Sequence, residues 1–89
     1  MNYSVLWTPD AEARLVDLWL EADSRGAITA ATNRIDADLG ARPFDIGESR
    51  EHNRRIHLMP PLGVIYRIDS NQRIVHVLTV WRYDMKNRT

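Results

Sequence analysis

Arg55 and His57 stand two residues apart in a stretch, 54–59, whose side chains alternate in character, so on an extended strand both point the same way. A guanidinium and an imidazole converging on one surface suit phosphate chemistry. Cleavage of RNA by its own 2′-hydroxyl needs a base to take the hydroxyl proton, cations to stabilise charge gathering on the phosphoryl oxygens, and an acid to protonate the leaving oxygen. An imidazole with an ordinary pKa of about 6.5 can be that base or acid, and Arg55 could clamp the phosphate with two parallel hydrogen bonds. Arg82 and Tyr83, at the end of the last apolar stretch, offer a second pair: arginine to hold phosphate, tyrosine to stack on a base or donate its hydroxyl proton. Each pair has a plainer reading. Arg55 and His57 could be the polar outer face of a half-buried strand, and Arg82 and Tyr83 a strand-end charge beside a surface aromatic.

The remaining chemistry-bearing residues point to structure. His76, between Val75 and Val77, reads as a semi-buried, hydrogen-bonded histidine, and His52 as a solvated loop residue. The histidines have no metal-ligand spacing, and no phosphate-cradling glycine loop, nucleophile elbow or dinucleotide fingerprint is present. No metal or cofactor is expected. The chain has no cysteine, which rules out disulfides and thiolate metal sites. Trp7, Trp19 and Trp81 read as packing anchors, with Trp81 placed near a strand end where it could meet a partner.

Positioning these residues takes a strand, two helices and a set of hairpins. Residues 2–7 alternate, with Tyr3, Val5 and Trp7 on one side. Thr8-Pro9-Asp10 follows as an N-cap, a first helical residue without an N–H to satisfy, and an acid favourable to the helix dipole. Ala11, Leu15, Leu18, Trp19 and Ala22 recur at helical spacing and predict a helix from Pro9 to Asp23. Ser24-Arg25-Gly26 breaks it. Ile28, Ala31, Ile35 and Leu39 form a second stripe, with Gly40 as the expected C-cap. The short break favours an antiparallel helical hairpin. Residues 41–53 show no periodicity and are expected to be a long loop. Strands are expected at 54–59, 64–69 and 73–82, with turns at Pro60–Gly63 and Ser70–Gln72. The last is apolar on both sides, as a central strand would be. The register is open. An even number of loop residues after Met59 puts His57 on the face of Tyr66, and an odd number puts Ile56 and Leu58 there.

The result is one α+β domain: N-terminal strand, antiparallel helical hairpin, then a C-terminal antiparallel three-stranded meander, with the helices on one sheet face. The 89 residues suffice for one domain, and 44% hydrophobic with 27% charged residues is an ordinary globular balance. Twelve basic and twelve acidic residues give no global pull toward nucleic acid. The distribution is uneven: after Ile46 the acids are Glu48, Glu51, Asp69 and Asp84, against Arg50, Arg54, Arg55, Arg67, Arg73, Arg82, Lys86 and Arg88. No apolar run approaches the roughly 20 residues of a membrane helix, and residues 1–7 lack the pattern of a signal peptide. A cytoplasmic location without membrane contact is expected.

Taken in order, these segments resemble the RelE/ParE family of bacterial toxins. The resemblance runs through Tyr3-Ser4-Val5-Leu6-Trp7, Thr8-Pro9-Asp10-Ala11, Ile35-Asp36-Ala37-Asp38-Leu39, Pro43 and Gly47-Glu48-Ser49-Arg50. It continues through Arg55-Ile56-His57-Leu58, Val64-Ile65-Tyr66-Arg67-Ile68-Asp69 and Ile74-Val75-His76-Val77-Leu78-Thr79-Val80. It implies the toxin of a type II toxin–antitoxin pair, held by a cognate antitoxin that wraps it. RelE-like members cut ribosome-bound mRNA without a metal, whereas ParE-like members inhibit DNA gyrase by binding. A third possibility is a member without toxicity, kept as an interaction protein. Under the ribonuclease reading, Arg55 and Arg82 would stabilise phosphate charge, and His57 and Tyr83 would transfer protons. Ribonuclease members also use an arginine early in the following strand, where this chain has Gly63 and Val64.

Overall fold

Thr8 and Ser24 set where the two helices begin. The structure, a computed structural model, describes residues 2–84. Thr8 Oγ1 accepts from the Ala11 amide at 3.1 Å and Ser24 Oγ from the Ala27 amide at 3.2 Å, so each hydroxyl satisfies one of the amides a helix start leaves open. Strand β1 spans Ser4–Trp7, helix α1 Pro9–Glu21 and helix α2 Arg25–Ala41. The first helix stops two residues before the expected Asp23, because Ala22 turns to extended backbone. The expected cap at Gly40 is displaced: α2 runs on to Ala41 and is capped at Arg42. The Gly40 carbonyl accepts from the Tyr3 amide at 2.7 Å, and a Cβ there would meet Tyr3 O at 3.4 Å. That is ordinary contact distance, so the backbone hydrogen bond, and no steric need for glycine, ties β1 to the helix end here.

The remaining strands are β2 Glu48–Arg50, β3 Arg54–Met59, β4 Leu62–Asp69 and β5 Ile74–Arg82, in a five-stranded sheet of order β1-β5-β4-β3-β2. β1 pairs parallel with β5, and the other pairs are antiparallel. A parallel pair needs a long connection, and everything from α1 to β4 lies between β1 and β5: the helical hairpin carries the chain from β1 at one edge of the sheet to β2 at the other, and the hairpins bring it back to β5. The stretch 41–53 is therefore not all loop, and the expected three-stranded meander is four-stranded. Glu48, Ser49 and Arg50 pair with Ile56, Arg55 and Arg54. All three are exposed, so the strand carries no alternation of apolar and polar residues. The β2–β3 hairpin turns through His52 and Asn53, both with positive φ, two residue types that tolerate the left-handed region better than most.

The turn after Met59 contains only Pro60 and Pro61, since Met59 already faces Leu62. That is the even register: Arg55 lies opposite Tyr66 and His57 opposite Val64. Tyr66, Val64 and Leu62 are fully buried and join Val75, Val77 and Val80 with Ala11, Leu18, Ile28, Ala31, Ile35 and Leu39 in one core. Arg55 and His57 therefore point to the face the helices cover. A bulge settles the two-sided apolarity of β5. Tyr66 pairs with Val77 but Ile65 pairs with Thr79, so Leu78 is an extra residue that reverses the alternation. Val75 and Val77 before it and Val80 after it thus all face the core.

Candidate functional site

Arg55 sits at the centre of a polar cluster that closes the chain between α2 and β3. Its Nε donates to Tyr66 Oη at 3.2 Å and its Nη1 to Ser49 Oγ at 2.8 Å. Its Nη2 donates to the carbonyls of Phe44 at 3.1 Å and Ile46 at 2.9 Å. A guanidinium has five N–H donors, and four of them are taken here. Tyr66 Oη in turn donates toward Pro43 O at 2.8 Å, with Ile46 O at 3.0 Å. Burial raises the Tyr66 hydroxyl above its ordinary value, with the Arg55 charge and hydrogen bond pulling the other way. Gly47 makes the cluster possible: its φ is +71°, and a Cβ there would lie 2.5 Å from Ile56 O and 3.0 Å from Tyr66 Oη. Arg55 thus reaches into the fold and holds a loop, where an exposed phosphate clamp was the expectation.

His57 is also turned inward. Its side chain is 13% exposed and its Nε2 lies 3.5 Å from Asp38 Oδ2 on α2. That is an ion-pair distance for a protonated ring and too long for a good hydrogen bond. The atom is buried and has no hydrogen-bond partner among the described residues. Asp38 also pairs with Arg34 at 3.3 Å, so the histidine faces a carboxylate that is already engaged.

Arg82 and Tyr83 lie at the end of β5, two strands away from β3 in the sheet. Arg82 lies opposite Leu62, on the helix-side face, with its side chain 49% exposed and its Nη2 3.8 Å from Asp84. Tyr83 lies just past the strand, its amide donating to Pro61 O at 2.8 Å. Arg55, His57 and Arg82 thus share a face but fall in different rows, opposite Tyr66, Val64 and Leu62 respectively. The place at the start of β4 where the resemblance to ribonuclease members would put an arginine is sterically filled. Gly63 is buried beneath its cross-strand neighbour Trp81, and a Cβ on Gly63 would lie 2.6 Å from the indole.

Ser49 and Tyr66 are the partners of Arg55 that sequence reasoning did not name. The two-proline turn, which fixes the register, was the signal for them. A second feature lies on the outer side of the helical hairpin. Leu15, Val16, Trp19, Ile28, Thr29 and Thr32 line an apolar groove of about 230 Å³, and Val16 and Trp19 are exposed there. The Trp19 indole is fixed by a hydrogen bond to Thr29 Oγ1 at 3.2 Å and by the Arg25 guanidinium 4.4 Å above its ring. Among the described residues no group of acidic or histidine side chains could hold a metal, and no helix is long and apolar enough to cross a membrane.

The family model for the ParE toxin of the type II toxin–antitoxin system parDE matches residues 5–86. No curated protein sequence matches. Solved structures do. A chain in the toxin–antitoxin complex RelBE2 from Mycobacterium tuberculosis superposes with a TM-score of 0.77 at 22% identity, covering 92% of each chain. A chain of the chromosomal ParDE system from P. aeruginosa gives 0.70 at 15% identity, over 92% of this chain and 97% of that one. The archaeal RelE–RelB complex from Pyrococcus horikoshii OT3 gives 0.61 at 14% identity, over 96% and 99%. These are likenesses of fold, and they match the two helices and mixed sheet described above.

Proposed function

The chain belongs to the ParE toxin family of type II toxin–antitoxin systems, and from that membership we propose that it acts by binding a protein target, DNA gyrase on the family resemblance, rather than by cutting messenger RNA. One observation carries the reading. The residues best matched to a ribonuclease site are engaged inside the fold: Arg55 by Tyr66, Ser49 and the loop carbonyls, His57 beneath α2. General acid–base catalysis needs a group within hydrogen-bond reach of the proton it moves, and neither side chain is presented that way. Inhibition by binding needs a surface only.

The second partner in this reading is a cognate antitoxin. The solved neighbours come from toxin–antitoxin complexes and systems. The groove on the helical hairpin, with Val16 and Trp19 exposed along it, suits the apolar side of an amphipathic helix.

Metal-independent RNA cleavage is the second reading, favoured by the half-exposed Arg82 beside Tyr83. The variant Arg82→Ala/Tyr83→Phe separates the two. Expressed without antitoxin, it is expected to arrest growth as the parent chain does, because neither side chain supports the core. Loss of arrest, with the circular dichroism spectrum and melting temperature unchanged, would move the assignment to the ribonuclease.

A further inference from the structure

The sheet face away from the helices carries a line of basic side chains that the register alone reveals. Arg50 lies opposite Arg54, Arg54 opposite Arg67, and Arg67 opposite His76. Their neighbours Ser49, Arg55, Tyr66 and Val77 turn to the helix side, so these four side chains share the open face. Arg50 is paired with Glu48 at 3.2 Å. The side chains of Arg54, Arg67 and His76 make no hydrogen bond or ion pair among the described residues. Like charges directly opposite each other weaken a strand pair, and this sheet places them across two successive strand pairs.

The rest of the open face is mixed: Ser4, Glu48, Asp69 and Thr79 lie on it by the same register, with Glu48 engaged by Arg50 and Asp69 by the Gln72 amide, and the other residues are apolar. Leu6 and Leu58 are exposed, and Ile56, Ile65 and Trp81 are partly so. Gly47, Glu48, Arg50, Ile56 and Leu58 line a shallow hollow of about 280 Å³ beside the cations. A nucleic-acid surface is expected to be basic throughout, on a chain with excess positive charge. Here the net charge is zero, and arginines, a tryptophan and aliphatic residues are mixed, the composition of protein-binding anchors.

We propose that this open face docks an extended acidic segment of a partner protein, whose carboxylates pair with Arg54 and Arg67 while a flanking aliphatic side chain enters the hollow beside Ile56 and Leu58. From Arg50 to Arg67 the line crosses two strand spacings, about 10 Å, the reach of about three extended residues. Charge complementarity selects the occupant, and the site is separate from the helical groove on the opposite layer. The proposal does not depend on whether the target is gyrase.

The test is fluorescence anisotropy of the purified chain with three labelled probes. The first is the peptide Glu-Glu-Leu-Glu-Glu-Leu-Glu-Glu, the second its counterpart with glutamine for every glutamate, and the third a single-stranded oligodeoxynucleotide of similar length. The acidic peptide is expected to bind about tenfold tighter than the glutamine peptide, and Arg54→Gln/Arg67→Gln to lose about that factor, the scale of two exposed ion pairs. The same double variant is expected to melt no lower than the parent, since it relieves the like-charge contact. Val16→Asp, in the helical groove, is expected to leave peptide binding unchanged. Equal affinity for the two peptides, full binding by the double variant, loss of binding in Val16→Asp, or tighter binding of the oligonucleotide would each overturn the proposal.

Discussion

Arg55→Ala will destabilise the protein by about 2–3 kcal/mol, because it removes charge-assisted hydrogen bonds, two of them part-buried, from the acceptors that hold the loop before β3. The acceptors are Tyr66 Oη, Ser49 Oγ and the carbonyls of Phe44 and Ile46. The loss should concentrate in the stretch 42–50, whose amides would exchange faster while those of β4 and β5 change less. Arg55→Lys should recover only part of it, since an ammonium cannot spread donors over acceptors on several sides as the planar fork does. Urea unfolding and hydrogen exchange read both effects. If alanine cost less than about 0.5 kcal/mol, the range of an ordinary surface change, Arg55 would be free for other work and the ribonuclease reading would regain its clamp. The cluster is not sensitive to pH near neutrality. The Tyr66 hydroxyl titrates above its ordinary 10.0, so the folded state holds that proton more firmly than the unfolded chain. The stability this contributes is present below pH 10 and is lost as pH rises through the folded value.

Gly63→Arg, which places an arginine where the resemblance to ribonuclease members would put one, is expected to damage the fold without creating an activity. The first carbon of any side chain at 63 would lie 2.6 Å from the Trp81 ring. Gly63 is buried in β4, so Trp81 must swing away before the new chain fits. Overpacking of this kind costs about 1–3 kcal/mol, and Gly63→Ala should already show much of it. Gly63→Ala/Trp81→Ala should recover part of that loss, because the clash needs both partners. A Gly63→Ala protein as stable as the parent would mean that the indole does not cover the glycine. RNA cleavage appearing in Gly63→Arg would mean that the remaining catalytic groups are in place after all.

The elements were legible because local chemistry agreed with them. Thr8-Pro9 announces α1, the Ile28-Ala31-Ile35-Leu39 stripe forms the buried side of α2, and alternation marks Arg54–Met59 to the residue. The misplacements have local causes. β2 is three exposed polar residues held by backbone pairing, which leaves no side-chain pattern to read. Gly40 looks like a terminator but lies inside α2, which runs on to Ala41 while the Gly40 carbonyl accepts from the Tyr3 amide. The site was harder to read because it depends on register. The direction of Arg55 and His57 turns on whether Pro60-Pro61 is the whole loop, and one residue of slip would have exposed them both. The open-face line of Arg50, Arg54, Arg67 and His76 was hidden for the same reason, since its members are far apart in sequence and adjacent only through three strand pairings.

The central claim, action by binding without RNA cleavage, is tested most directly on one preparation freed of antitoxin and assayed in parallel for two activities. One assay follows the integrity of messenger RNA on programmed ribosomes, the other DNA supercoiling by gyrase. The account predicts that the messenger stays intact at every dose while supercoiling falls with increasing protein. Messenger cut in a ribosome-dependent way, with supercoiling untouched, would contradict it.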